Sequence, residues 1–169
     1  MKTLLLMRHA KSSWDDPTLT DAERPLNARG LQDAPRIARA LQDAGQVPDA
    51  ILCSTARRAV ETAALVRDTL GFKGPFHSDA RLYMATPAEI VMVVSEIPKL
   101  IGTDADHVLL VGHNPGLQDF VELVTGTFVR MPTAALVELS VPIASWSEFE
   151  RTTQATLGRV WRPRELPGG

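Results

Sequence analysis

The sequence predicts an α/β fold: a three-layer α/β/α sandwich around a mostly parallel central sheet. Two observations carry this. Short apolar runs alternate along the chain with longer stretches of helical periodicity, the pattern of repeated strand–helix units. Three of those runs, residues 4–7, 50–53 and 108–111, have no polar face, as strands covered on both sides by helices require. At 169 residues the chain is long enough to build one domain with its own core. We expect a single domain over residues 1–162, with the Pro- and Gly-rich residues 163–169 as a flexible tail.

The elements follow in order. Leu4, Leu5, Leu6 and Met7 form the first strand, and a polar loop over residues 15–29 follows, broken by Pro17 and Pro25. Leu31, Ala34, Ile37, Ala38 and Leu41 recur on one helical face that ends near Gly45, with Pro35 inside its first turns. Pro48 and Asp49 introduce the second strand. A second helix, from about Thr55 to Leu70, shows Ala59, Ala63, Val66 and Leu70 on one side and stops at Gly71. Residues 73–78 suit a short edge strand. A third helix over residues 87–101 carries Ile90, Val93, Val94, Ile97 and Leu100, and Pro98 must bend it or end it early. The run at 108–111 is a central strand. Asn114 and Pro115 then suit the N-cap and first turn of a helix bearing Leu117, Phe120, Val121 and Val124, closed by Gly126. Residues 134–141 and 156–161 complete the pattern as two strands paired antiparallel at a sheet edge.

Composition narrows the function classes. Hydrophobic residues make up 44% and the formal net charge is -2, so no global field draws nucleic acid or an anionic membrane, and neither is expected as a partner. Affinity for anions must be local. Cys53 is the single cysteine, which excludes an internal disulfide framework and suits a reducing cytoplasm. The N-terminal apolar run stops at Arg8, too short for a signal-peptide core, and no later stretch approaches about 18 apolar residues. Nothing in the pattern specifies an oligomeric state.

The chemistry-bearing residues sit where open α/β sheets form their ligand crevice, at the C-terminal ends of strands. Arg8 and His9 follow the first strand, Arg57 follows the second, and His113 and Asn114 follow the central one. Two imidazoles and two guanidinium groups in one crevice suit a phosphoryl group. A neutral imidazole is a competent nucleophile near pH 7. Phosphoryl transfer consists chiefly of positioning and charge stabilisation on the equatorial oxygens, which the planar arginine fork performs better than lysine. The histidines are too scattered for a metal site, and no Gly-rich phosphate loop follows a strand, so no metal and no cofactor is expected. Cysteine chemistry of the C-x5-R kind fails on counting, because Arg58 falls one position too early after Cys53.

Three segments together carry a family resemblance. Arg8-His9-Ala10, the stretch Ser54-Thr55-Ala56-Arg57-Arg58-Ala59-Val60-Glu61-Thr62-Ala63, and Gly112-His113-Asn114-Pro115 resemble, in order, spacing and strand context, the histidine phosphatase superfamily with its phosphoglycerate-mutase-like fold. The resemblance spans most of the chain. Its short length, and Arg8-His9-Ala10-Lys11-Ser12-Ser13-Trp14 followed by Arg24-Pro25-Leu26-Asn27-Ala28-Arg29-Gly30, look most like the compact SixA-type phosphohistidine phosphatase branch. The resemblance implies that His9 is the nucleophile that becomes phosphorylated, that Arg8 and Arg57 grip the phosphate, and that His113 is the second pocket imidazole. It implies a phosphorylated substrate, with a phosphohistidine-bearing protein as one form of it.

Plainer roles compete for each residue. Glu61 lies one helical turn beyond Arg57 and is placed to pair with it. Arg58 reads as a solvated helix arginine, and His113 could merely orient the turn at Asn114. Ser12 and Ser13 are placed to contact a phosphate oxygen or to bond locally in a turn. The general acid is the weakest point of the pattern. Asp79, in Ser78-Asp79-Ala80-Arg81-Leu82-Tyr83, is the candidate, with Asp21 and Glu23 as rivals. A missing acid favours phosphohistidine, whose imidazole leaving group takes its proton readily near neutrality. Two further functions fit the same residues: a phosphomutase, for which the chain has little room to build a closing lid, and an inactive phosphate- or phosphoprotein-binding module.

Overall fold

Strand β1, Lys2–Arg8, is buried from Leu4 to Met7 because it runs through the middle of a six-stranded sheet. The computed structural model describes residues 1–168. β1 is followed by α1 (Ala28–Asp43), β2 (Ala50–Ser54), α2 (Arg57–Leu70), β3 (Phe76–Asp79), α3 (Pro87–Ser95), α4 (Ile97–Ile101), β4 (His107–Gly112), α5 (Gly116–Thr125), β5 (Leu136–Val141) and β6 (Thr156–Trp161). The strand order is β3-β2-β4-β1-β5-β6, parallel from β3 to β1 and antiparallel from β1 through β5 to β6. This is the predicted α/β/α sandwich, including the antiparallel pair at one edge.

The three layers follow from the period of two along each strand. Leu4 and Leu6 point with Leu52, Val108 and Leu110 into a core closed by Val93 and Val94 of α3 and Phe120 and Val124 of α5. Leu5 and Met7 point the opposite way, with Ile51 and Leu109, against Ile37 and Leu41 of α1 and Ala63 and Val66 of α2. Among the described residues no helix is long and apolar enough to cross a membrane.

Parallel register brings the functional ends together. Arg8 pairs with Gly112 across β1 and β4, and Cys53 with Val111 across β2 and β4. His9, Ser54 and His113 therefore emerge at one edge of the sheet. The His9 amide donates to Gly112 O (3.0 Å), and its carbonyl accepts from Ala134 N (3.0 Å), so both sides of the turn after β1 are tied to neighbouring segments.

Local chemistry shifts several expected boundaries. The single helix predicted over residues 87–101 is two: α3 ends at Ser95 and α4 begins at Ile97, with Pro98 in its first turn, where a missing N–H costs nothing. Asn114 does not cap α5. Its amide Nδ2 donates to Met131 O (2.8 Å), and the helix starts at Gly116, where any Cβ would collide with Ala85 O. At α1 the cap is Asn27, whose side chain accepts from Gly30 N (3.0 Å). The tail expectation also needs correction. Pro163 is buried, and Arg36 Nη2 donates to the carbonyls of Pro163 (3.0 Å) and Leu166 (3.4 Å), docking the tail on α1 as far as Leu166. Gly169 lies outside the described residues.

Candidate active site

His9 is the first residue beyond β1, and its ring is almost wholly buried. Its Nδ1 lies 2.8 Å from Ala10 O. A carbonyl can only accept, so Nδ1 carries the proton and Nε2 keeps its lone pair. Burial lowers the ring's pKa to about 4 against the opposing Ala10 hydrogen bond, and the guanidinium groups of Arg58, Arg8 and Arg24 add to the effect. At neutral pH His9 is an uncharged imidazole with its nucleophilic nitrogen facing the crevice. Arg58 Nε stands 3.4 Å from that nitrogen.

His113 follows β4, with its ring centroid 5.2 Å from that of His9. Its Nε2 lies 2.8 Å from Ser54 Oγ, which itself accepts from Ala56 N (3.2 Å). A hydroxyl both donates and accepts, so this contact anchors the ring through Nε2. Nδ1 is buried and has no partner among the described residues. Burial again leads in lowering the pKa, to about 3, followed by His9 and Arg58. The second imidazole is thus neutral and anchored by a serine on β2 beside the His9 ring.

The arginines require a correction. Arg57 does not reach the crevice: its side chain is 55% exposed and pairs with Glu61 (2.8 Å) on the outer face of α2. Arg58 takes the predicted place, with its side chain 4% exposed beside His9. The reason is helical phase. Arg58 and Thr62 share the inward face with Ala59 and Ala63, and Arg57 lies two residues, about 200°, around the helix from Ala59. Thr62 Oγ1 locks this face by bonding to Arg58 O (2.6 Å) and accepting from Ala10 N (3.0 Å). Arg58 is aimed by the 15–29 loop, donating to Asp21 O (2.7 Å) and Asp21 Oδ2 (2.9 Å). Arg8, at the end of β1, donates to Met131 O (3.2 Å) through Nη1, while its buried Nε has no partner.

The remaining candidates are also redistributed. Ser13 turns its hydroxyl toward Asp15 N (3.1 Å), away from the crevice, and it is Ser12 that lines it, held by Arg24. Asp79 is clamped by Arg81 through Nε and Nη2 (2.8 Å for the shortest contact), and that ion pair holds its carboxyl below the ordinary range. It does not line the cavity beside His9, so the geometry removes it as a proton donor there. Asp21 does not line the cavity either; it stands behind Arg58, and Tyr83 OH and Arg58 donate to it and lower its pKa to about 2. Glu23 is exposed and bonds to Thr20. The cavity, about 280 Å³, is lined by Arg8, His9, Arg58 and His113, with the exposed side chains of Trp14 and Met84 at its rim.

The chain is similar to known proteins in sequence and fold. Residues 4–83 fit the model of the histidine phosphatase superfamily (branch 1). An uncharacterized protein of Mycobacterium tuberculosis is 31% identical over 163 residues, spanning 90% of this chain and 97% of that one. The chain belongs to the histidine phosphatase superfamily. Within it, the resemblance is to the SixA-type branch. A structure from Nakamurella multipartitia assigned as the phosphohistidine phosphatase SixA superposes with a TM-score of 0.81 at 26% identity, covering 96% of both chains. Another so assigned, from Agrobacterium tumefaciens, gives 0.78 at 26%, covering 96% of this chain and 98% of that one. For a histidine phosphatase, the positions that sequence reasoning missed are Arg58, Ser54 and Tyr83, while Asp21, named as a rival acid, serves instead to aim Arg58. Only Arg58 left a signal, its place on the apolar face of α2.

Proposed function

We propose that this protein is a metal-independent phosphatase that works through a covalent phosphohistidine on His9. The carrying observation is the His9 tautomer: a neutral ring whose Nδ1 proton is spent on Ala10 O and whose Nε2 faces a cavity walled by Arg8, Arg58 and His113. In the first step Nε2 forms a bond to phosphorus while the bond to the leaving group breaks, and the electron pair departs with that group. Arg8, Arg58 and His113 hold the equatorial oxygens, the arginines supplying charge that other phosphoryl-transfer sites take from metal ions. Water then attacks phosphorus, the N–P bond breaks back to the imidazole, and inorganic phosphate leaves.

The leaving group receives no help from a carboxylic acid. Asp21 is ionised throughout the working pH range, and Asp79 is engaged elsewhere. This favours substrates whose leaving group departs without a strong acid: phosphohistidine on a partner protein, or a small phosphorylated molecule with a stable leaving anion. The apolar rim of Trp14 and Met84 suits an imidazole ring. The single thiol, Cys53, is buried and takes no part, and the setting we assign is the cytoplasm.

The test is an assay in EDTA of an aryl phosphate, a phosphohistidine protein, sugar phosphates and nucleotides. His9→Ala should lose about a thousandfold or more in kcat with its circular dichroism unchanged. The wild-type enzyme, quenched in base during turnover, should carry one acid-labile phosphoryl group, which the variant lacks. Wild-type rates from His9→Ala would remove the assignment.

A further inference from the structure

A second cavity, about 720 Å³, opens beside the catalytic one and shares Arg8, Lys11, Asn114 and Thr133 with it. Among the described residues six cations line it, Arg8, Lys11, Arg29, Arg130, Arg162 and Arg164, against the single carboxylate of Glu165. Arg29 is paired with Asp33 and Arg162 with Glu165. Lys11, Arg130 and Arg164 have no carboxylate partner among the described residues. Such a concentration of one sign is not a consequence of composition, because the chain as a whole is formally -2. The docked tail creates it, bringing Arg162 and Arg164 up to Arg130, whose carbonyl accepts from Arg162 Nε (3.0 Å). The volume lies in the range of small-molecule sites, and guanidinium forks match phosphate oxygens.

We propose that this cavity binds the leaving portion of a phosphoanhydride substrate, a short polyphosphate chain or a nucleoside polyphosphate. The proposal rests on His9 taking the terminal phosphoryl group. Two independent observations converge on it. Among the described residues no carboxylic acid lines the phosphoryl pocket to protonate a leaving oxygen, and a phosphate needs none, since its second ionisation lies near pH 6. The cavity that continues from the phosphoryl pocket is lined with the charge such a leaving group carries. With tripolyphosphate, His9 Nε2 bonds to the terminal phosphorus as the bridging P–O bond breaks, and pyrophosphate leaves with the electron pair. Water then splits the N–P bond, giving hydrogen phosphate and hydrogen pyrophosphate, its two protons shared between them.

The experiment measures kcat/KM in EDTA for tripolyphosphate, p-nitrophenyl phosphate and an acidic phosphohistidine peptide. It uses wild type, Arg130→Ala/Arg164→Ala, and Arg39→Ala as an exposed charge control. The ratio of tripolyphosphate to aryl phosphate should fall about tenfold or more in the double variant, chiefly through KM, and stay constant in Arg39→Ala. Tripolyphosphate should also bind His9→Ala at least about tenfold tighter than inorganic phosphate does, by calorimetry. If aryl phosphate is hydrolysed but tripolyphosphate is not, or the ratio ignores the double variant, the anhydride proposal fails and the phosphatase stands. If the double variant instead loses the acidic peptide selectively, the cavity reads a protein chain and the proposal is overturned. If neither aryl phosphate nor tripolyphosphate turns over, the phosphatase assignment falls and takes this proposal with it.

Discussion

Adjacent arginines at the start of α2 differ by one residue in sequence and by nearly everything in environment. Arg58 is buried beside His9 and oriented by Asp21, whereas Arg57 spends its charge on Glu61 in solvent. Arg58→Ala should therefore lower kcat/KM for an aryl phosphate by about 10²- to 10³-fold, the usual loss when a preorganised charged donor is removed from a transition state. Arg57→Ala should change it by less than about twofold, since an exposed helical ion pair contributes little. Steady-state kinetics on the two variants decide the matter, and equal losses would overturn the assignment. The pair also shows what was legible. The sequence places an arginine after β2, but choosing between neighbours requires the helical phase, and that depends on where the helix starts. The predicted start at Thr55 differs from the observed Arg57 by two residues, enough to leave the choice open. His9 and His113 escaped this ambiguity because each directly follows a strand, where the strand end alone fixes its place. The His9 tautomer was not legible, since it depends on Ala10 O as positioned in space.

At the scale of elements, β3 and the 3₁₀ turn after it make a structural unit around Asp79, which sequence reasoning offered as one of three candidate acids. Asp79 accepts from Arg81 N (2.9 Å) and is clamped by the Arg81 guanidinium, which reaches on to Glu96 (2.9 Å) between α3 and α4. This network pins the edge strand to the helices, so Asp79→Asn should destabilise the protein by about 1–2 kcal/mol, a fall of a few degrees in Tm. It should leave kcat/KM and its dependence on leaving-group pKa within about twofold of wild type, and a steeper leaving-group dependence in the variant would restore Asp79 as an acid. The strands and most helices were legible because burial on one or two faces imposes periods that survive in sequence. The docking of residues 163–166 was not, because Pro and Gly content reports local backbone preference while the anchor, Arg36 on α1, lies far away in the chain. The basic cavity was missed for the same reason.

Across the whole molecule, the burial that keeps His9 and His113 neutral also makes the fold sensitive to acid. Both rings are buried and neutral, with pKa values of about 4 and about 3, against about 6.5 in an unfolded chain. Between those limits the unfolded state binds more protons than the native one, so stability is full above pH about 6.5 and declines as pH falls toward the folded values. The two groups together amount to several kcal/mol, to order of magnitude, by the time the pH reaches about 4. Asp21 contributes in a separate window: its lowered pKa of about 2 stabilises the fold above the ordinary carboxylate range and is lost only in stronger acid. Urea denaturation in phosphate-free buffer should therefore show stability falling from pH 6.5 to 4.5, ahead of carboxylate titration. His9→Gln/His113→Gln should flatten that segment of the profile whatever its absolute stability, because neither replacement can take up a proton. Vanadate or inorganic phosphate should restore part of the lost stability at pH 5, since an oxyanion between Arg8 and Arg58 favours the protonated rings in the native state. Parallel profiles for wild type and double variant between pH 6.5 and 4.5 would mean that the two imidazoles are not held neutral by the fold, and the nucleophile would lose its physical basis.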